Sequence, residues 1–196
     1  MSNCGCQCHD KNATVRTILM DEHRVIERVL DAVDRMLAEG VIDRGFMLGA
    51  LDFIRNFADG CHHAKEEDHL FPALERAGVP REGGPIGCML HEHEQGRSFV
   101  AVITSNLDAA ASGRMDAIEA VRRAAGGYVS LLRQHIQKED NVLFVMAERA
   151  LDCQRKRELL ADFDRTEGAT PGKHERYLAL ADRLSTWRFH RTPAHV

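Results

Sequence analysis

The sequence predicts an all-α protein, an antiparallel up-down-up-down four-helix bundle with additional C-terminal helices. Three observations predict it. Apolar residues recur at alternating steps of three and four along four long stretches, no stretch keeps a period of two, and the connections are short.

The first helix is expected over 14–39, where Val15, Leu19, His23, Ile26, Leu30, Val33 and Leu37 share one face. Thr14 is its cap and Gly40 its stop. The second covers 44–76, with Leu51, Ile54, Ala58, His62 and Glu66 on one side. Pro72 lacks an amide hydrogen and is expected to kink or end it. AGVPREGGPIG (77–87) is a loop by composition. The third helix runs from about Ile86 to Ala111 through Leu90, His93, Val100, Ile103 and Leu107. The fourth, 114–149, carries Ile118, Val121, Ala125, Tyr128, Leu132, His135, Glu139, Val142 and Met146 in helical register. A short helix follows over 151–165, then a TEGATPG loop (166–172) and a last amphipathic helix over 173–187. The chain thus divides into a Cys-rich tail (1–12), a bundle (13–150) and a helical extension (151–196) packed on it.

Composition narrows the function classes. At 196 residues, 44% hydrophobic and 29% charged, the chain can bury a real core and is not a disordered one. A net charge of -4 argues against a nucleic-acid partner. No apolar run approaches the roughly 18 residues that a membrane span needs. MSNCGCQCHDKN has no apolar stretch of the secretory kind, so the expected compartment is the cytoplasm. Cys61, Cys88 and Cys153 are expected to be isolated buried thiols. Cys4, Cys6 and Cys8 are expected in a mobile, redox-sensitive tail, with a clasp for Zn(II) or Cu(I) as the alternative.

An internal repeat carries the chemistry. Glu22-His23 falls on Glu92-His93 at an offset of 70 residues. His62, Lys65, Glu66, Leu70 and Phe71 fall on His135, Lys138, Glu139, Leu143 and Phe144 at an offset of 73. Each half therefore offers one His from its first helix and a His-x-x-x-Glu from its second. Residues four apart lie on one helix face, roughly 6 Å apart along the axis, so imidazole and carboxylate can converge on one ion. Four inward imidazoles and two inward carboxylates at one level of a core are costly unless paired, and metal ions pair them.

Mixed imidazole and carboxylate suits Fe, Mn or Zn and lacks the thiolates of structural zinc. Six side chains exceed what one ion needs. With Glu66 and Glu139 both bridging, each of two ions has two His nitrogens, two Glu oxygens and a bridging oxo or hydroxo. One position on each is then open to O2, peroxide or NO. The neighbouring pair His63 and Glu67 also has ligand spacing, but the repeat favours His62 and Glu66; His63, His69 and His91 are read as surface or supporting groups. Glu27 is read as exposed, and Tyr128 as core, with a pocket-lining role as the alternative.

These motifs (Glu22-His23, HHAKEEDHLFPAL, HEHEQGR and HIQKEDNVLF) resemble the haemerythrin-like HHE cation-binding family over roughly 14–187, and GKHERYLALADRL resembles the terminal helix of bacterial members. The resemblance implies a four-helix bundle holding a non-haem diiron centre, with ligands His23, His62, Glu66, His93, His135 and Glu139. Oxygen-carrying members place a further His one turn before the third-helix His; here that position is Met89. Asp140 stands where those members end their ligand set, while Glu139 fits the His-x-x-x-Glu form. The chain is closer to symmetric members, among them iron-centre repair proteins and the F-box iron sensor.

The implied function is a cytoplasmic diiron protein binding or sensing O2 or a related small oxidant (peroxide, NO) in stress response, as a monomer or homodimer. The alternatives are a diiron enzyme that decomposes peroxide or reduces NO, an iron donor for repair of iron centres, and a partner-binding bundle stapled by metal.

Overall fold

The computed structural model describes residues 14–189, and no strand occurs among them. The cysteine tail falls outside the described residues. Six helical rods follow one another: α1 (Val15–Ala38), α2 (44–76), α3 (Pro85–Ala111), α4 (115–150), α5 (Cys153–Gly168) and α6 (Lys173–Ser185). Helix α5 runs three residues further than the sequence pattern suggested, to Gly168. No helix is long and apolar enough to cross a membrane among the described residues.

Local chemistry sets the ends. The Thr14 hydroxyl accepts from the Thr17 amide at 3.1 Å, and the Thr17 hydroxyl accepts from the Thr14 amide at 2.7 Å. Gly40, at φ 75°, closes α1 in the left-handed region that glycine tolerates. Asp43 caps α2 by accepting from the Phe46 amide at 3.0 Å.

Neither α2 nor α4 is a regular α-helix throughout. Helix α2 widens into π turns over Ile54–His63 and Glu66–Leu70, and α4 does so over Glu139–Leu143. The Phe71 amide reaches back to the Glu66 carbonyl and the Phe144 amide to that of Glu139, an i→i+5 pattern in both halves. Pro72 does not end its helix. It sits in the last α turn (Phe71–Arg76), just after the π segment, and the rod continues to Arg76.

The apolar core is split into two clusters. One gathers Ile26, Leu30, Phe46, Phe53, Phe57, Ile103, Val121, Leu132 and Leu184. The other gathers Leu19, Leu70, Phe71, Leu74, Ile86, Leu143, Phe144, Leu159 and Phe163. Each such side chain stabilises by roughly 1.5–3 kcal/mol on full burial. Between the clusters lies a polar layer: His23, His62, Glu66, His93, His135 and Glu139 are all 2% exposed or less. Along α1 the chain passes from the second cluster to the first, along α2 from the first to the second, and α3 and α4 repeat that order.

Helix α3 packs along α4, and α1 packs on α4 and α6. The last two helices close one side. Thr166 of α5 meets His69 at 3.1 Å, the Tyr177 hydroxyl of α6 donates to Asp52 at 3.3 Å, and Trp187 Nε1 donates to Asp43 at 3.1 Å.

Candidate metal centre

The six residues singled out by the repeat converge, and a seventh joins them. Ligand atoms of His23, His62, Glu66 and Glu139 lie within 4.8 Å of one another, and so do those of His63, Glu66, His93 and His135. Glu66 belongs to both quartets. Glu139 also approaches both, its Oε2 lying 3.2 Å from His23 Nε2 and 3.2 Å from His135 Nε2.

His63 departs from the expectation. It is 5% exposed, and its ring stacks on that of His93 at 3.8 Å. Its repeat partner is Ile136, so the repeat gives no hint of it. The cause is the Ile54–His63 π segment. With i→i+5 bonding each residue turns less about the axis, and the neighbours His62 and His63 both face inward. One quartet therefore has three imidazoles rather than the symmetric two. Glu67, its partner in the sequence reading, points to His93 instead. His91 is exposed, His69 is half-buried against Thr166, and Glu27 pairs with Arg24 at 3.1 Å away from the centre.

Every imidazole of the centre has one nitrogen fixed by a carboxylate. The Nδ1 atoms pair as His23 with Asp140 at 2.7 Å, His62 with Glu22 at 2.9 Å, and His93 with Glu67 at 2.6 Å. His135 pairs with Glu92 at 3.0 Å and His63 with Asp59 at 3.3 Å. A carboxylate on Nδ1 sets the tautomer that leaves Nε2 as a lone pair aimed inward. This outer frame follows the repeat as closely as the ligands do. Glu22 and Glu92 each back the His of the following helix, while Glu67 and Asp140 each back the first-helix His of the other half, His93 and His23. Lys65 holds Glu22 at 2.5 Å, and Lys138 holds Glu92 in the same way. The two lysines differ in cover: Lys65 is fully buried and also meets Glu167 of α5, whereas the Lys138 side chain is 41% exposed.

The inner atoms lack partners. His23 Nε2, His62 Nε2, His63 Nε2 and all four carboxylate oxygens of Glu66 and Glu139 are buried without a hydrogen bond. Such groups are rare because each costs about 1–3 kcal/mol unsatisfied. Burial and the nearby Glu139 carboxylate push Glu66 well above the usual carboxylate range. Burial also opposes ionisation of Glu139, but His135 and His23 overcome it and hold that carboxyl well below. Of the two carboxyls Glu66 is therefore the weaker acid. Burial draws His62 down to about 4, helped by the charge on His23. Burial acts in the same sense on His135, yet Glu139 and Glu92 outweigh it and raise the imidazole to about 9. Two clusters of buried nitrogen and carboxylate donors sharing Glu66, most of their inner atoms without a hydrogen bond, fit a pair of transition-metal ions.

Beside the three-imidazole quartet lies a cavity of about 260 Å³, lined at its inner end by His63, His93 and Tyr128. Tyr128 is thus both core and pocket wall; burial pushes its phenol up.

Comparison with known proteins agrees with this picture. The hemerythrin HHE cation binding domain matches residues 14–147. The uncharacterized proteins Rv1995 of Mycobacterium tuberculosis and Mb2018 of Mycobacterium bovis are each 24% identical over 153 residues, 76% of this chain and 59% of theirs. The iron-sulfur cluster repair protein YtfE of Musicola paradisiaca is 37% identical over 92 residues, 45% of this chain and 40% of its own. The chain therefore spans less than two thirds of the length of the curated relatives it matches. No solved structure matches it. A domain match over most of the chain, falling on the helices that carry the buried histidines and glutamates, shows that the chain belongs to the hemerythrin HHE cation-binding family.

Proposed function

We propose that this chain is a cytoplasmic non-haem diiron protein that binds or senses O2 or a related small oxidant, peroxide or NO. In this reading α1–α4 form an antiparallel up-down-up-down bundle, the domain spans 13–150, and 151–196 is an extension packed on it. The alternating passage of the four helices between the two apolar clusters supports that topology. His23, His62, Glu66 and Glu139 would hold one iron. His63, His93 and His135 would hold the other, with Glu66 and Glu139 in reach of both and an oxo or hydroxo group completing the centre. The set of buried, unpartnered Nε2 and carboxylate atoms carries the reading.

When bound, a ferrous pair would supply two electrons to an oxidant. The protein contributes the rest. Asp140, Glu22, Glu67, Glu92 and Asp59 orient the imidazoles, and the apolar clusters on either side keep water from the ligands. Metal analysis with optical spectra before and after air tests the proposal. Two irons per chain with bridge charge-transfer bands are expected; a single ion or none after iron loading overturns it.

A second reading, an iron donor for repair of iron-sulfur centres, is favoured by the likeness to the YtfE proteins over about half of the chain. Transfer of the bound iron to a cluster-depleted acceptor protein supports it, and retention of both irons in the presence of that acceptor excludes it.

A further inference from the structure

The two quartets differ in what reaches them. The ring of His23 stacks on Phe144 at 5.4 Å, and both residues are 1% exposed or less; a cavity of about 320 Å³ on that side reaches Phe144 but is lined by none of the quartet's residues. The other side adjoins the cavity of about 260 Å³, which runs from the stacked faces of His63 and His93 outward between α2, α3 and α4. Its walls are Ile54, Gly96, Val100 and Tyr128, and its rim includes the exposed Arg55 and Ala101.

Size and charge define the occupant. A water-sized guest needs roughly 10–15 Å³ of such space, and drug-sized pockets begin near 300 Å³. The cavity is therefore far larger than a diatomic or H2O2 needs, and it fits a compact organic molecule. Arg97, the cation nearest the imidazoles, is already met by Asp59 at 2.7 Å, Glu67 at 2.7 Å and Glu94 at 2.6 Å. Among the described residues the other cation on the lining is Arg55, which stands exposed at the rim and donates to Thr104. Asp59 and Arg97 neutralise each other on the inner lining and the remaining wall is apolar, so the favoured guest is neutral with an apolar body and a small polar head pointing to His63 and His93.

We propose that this cavity is a binding site for small alkyl hydroperoxides, with the alkyl group against Ile54, Val100 and Tyr128 and the peroxy head at the His63–His93 end. This rests on the diiron reading, with the ferrous pair as reductant: ROOH + 2 Fe(II) + 2 H+ gives ROH + H2O + 2 Fe(III). The O–O bond breaks, each oxygen ends protonated or alkylated, and each iron gives one electron.

The test has two arms. In the first, tert-butyl alcohol, the unreactive analogue of tert-butyl hydroperoxide, is titrated into metal-free and zinc-loaded protein and read by saturation-transfer NMR. Ala101→Trp, at an exposed position, sets an indole over the mouth. Gly96→Ala narrows the wall by a methyl group 3.5 Å from the Tyr128 ring, an ordinary contact. Transfer is expected in the parent and lost in Ala101→Trp. In the second arm the diferrous protein meets tert-butyl hydroperoxide or H2O2 anaerobically in a stopped-flow instrument. Ala101→Trp is expected to slow oxidation by the alkyl hydroperoxide about tenfold, Gly96→Ala less, with H2O2 changed under about twofold and the iron content unaltered. Absence of transfer from the parent overturns the proposal, as does slowing of both oxidants alike. Failure to bind two irons would sink the diiron reading instead, and the first arm is read without iron.

Discussion

The Nε2 atoms of His93 and His135 face each other at 3.1 Å. The Nδ1 of each ring is on a carboxylate, Glu67 for one and Glu92 for the other. If both Nδ1 atoms donate, a proton or a cation has to lie between the two Nε2 atoms. The raised pKa of His135, about 9, lets that ring supply the proton, and a metal ion would take the proton's place.

Removing metal should lower thermal stability. An ion present at a hundred times its dissociation constant stabilises by about 2.7 kcal/mol. For a chain of this size that corresponds to a melting shift of roughly 5–11 °C. Calorimetry of chelator-treated and iron-loaded protein measures it, and coincident melting curves would contradict the coupling of metal to fold.

Metal uptake should weaken as pH falls. His135 has a pKa of about 9, and Glu66 is shifted in the same sense, well above the usual carboxylate range. The imidazole proton must leave before an ion binds, so protons compete with the metal. Below pH 9 the apparent affinity should drop about tenfold per pH unit for the His135 proton, and further where Glu66 is protonated. Calorimetric titrations in buffers of different ionisation heat count those protons, and a count of zero would refute the sign.

The ligand variants should separate by quartet. His62→Ala and His135→Ala are expected to lose iron and destabilise the fold. His63→Ala should keep both ions but bind one of them about 10–100-fold more weakly, with a changed visible spectrum. Inductively coupled plasma analysis after dialysis against a chelator distinguishes these cases. Identical metal content and spectrum in His63→Ala and parent would remove His63 from the ligand set.

The twin lysines should behave unequally. Lys65→Met leaves the buried Glu22 without its cation and beside the half-buried Glu167, which should cost about 3–5 kcal/mol. Lys138→Met exposes Glu92 to water and should cost under about 1 kcal/mol. Urea denaturation of the two variants gives the comparison, and equal losses would mean that α5 adds nothing to the Lys65 site.

Much of the centre was legible in the chain because the repeat duplicates it. His23, His62, Glu66, His93, His135 and Glu139 were found from spacing alone, and the structure brings all six together. The helix limits followed from Thr14, Gly40 and the proline-glycine loops. His63 was hidden because a 3.6-residue period turns it away from His62, and nothing in a hydropathy pattern announces a π turn. The outer carboxylates were legible as motif members but not in their role: Glu22 and Glu92 repeat beside a His, Glu67 has ligand spacing to His63 and Asp140 stands at a family ligand position, yet the imidazole that each supports is set by tertiary pairing. The lasting burial of Lys65 depends on α5, which no local pattern places.

The wide turns bear on how this chain tolerates a change in length. A π turn holds one residue more than a regular helix requires, and here it follows a glutamate of the centre in each half, just ahead of a Leu-Phe pair. Deleting one residue from either turn would let the backbone tighten on the spot while the Leu-Phe pairs beyond stayed in phase with their neighbours. The fold thus has, in each half, one place where the chain can shorten by a residue without disturbing the apolar packing beyond it.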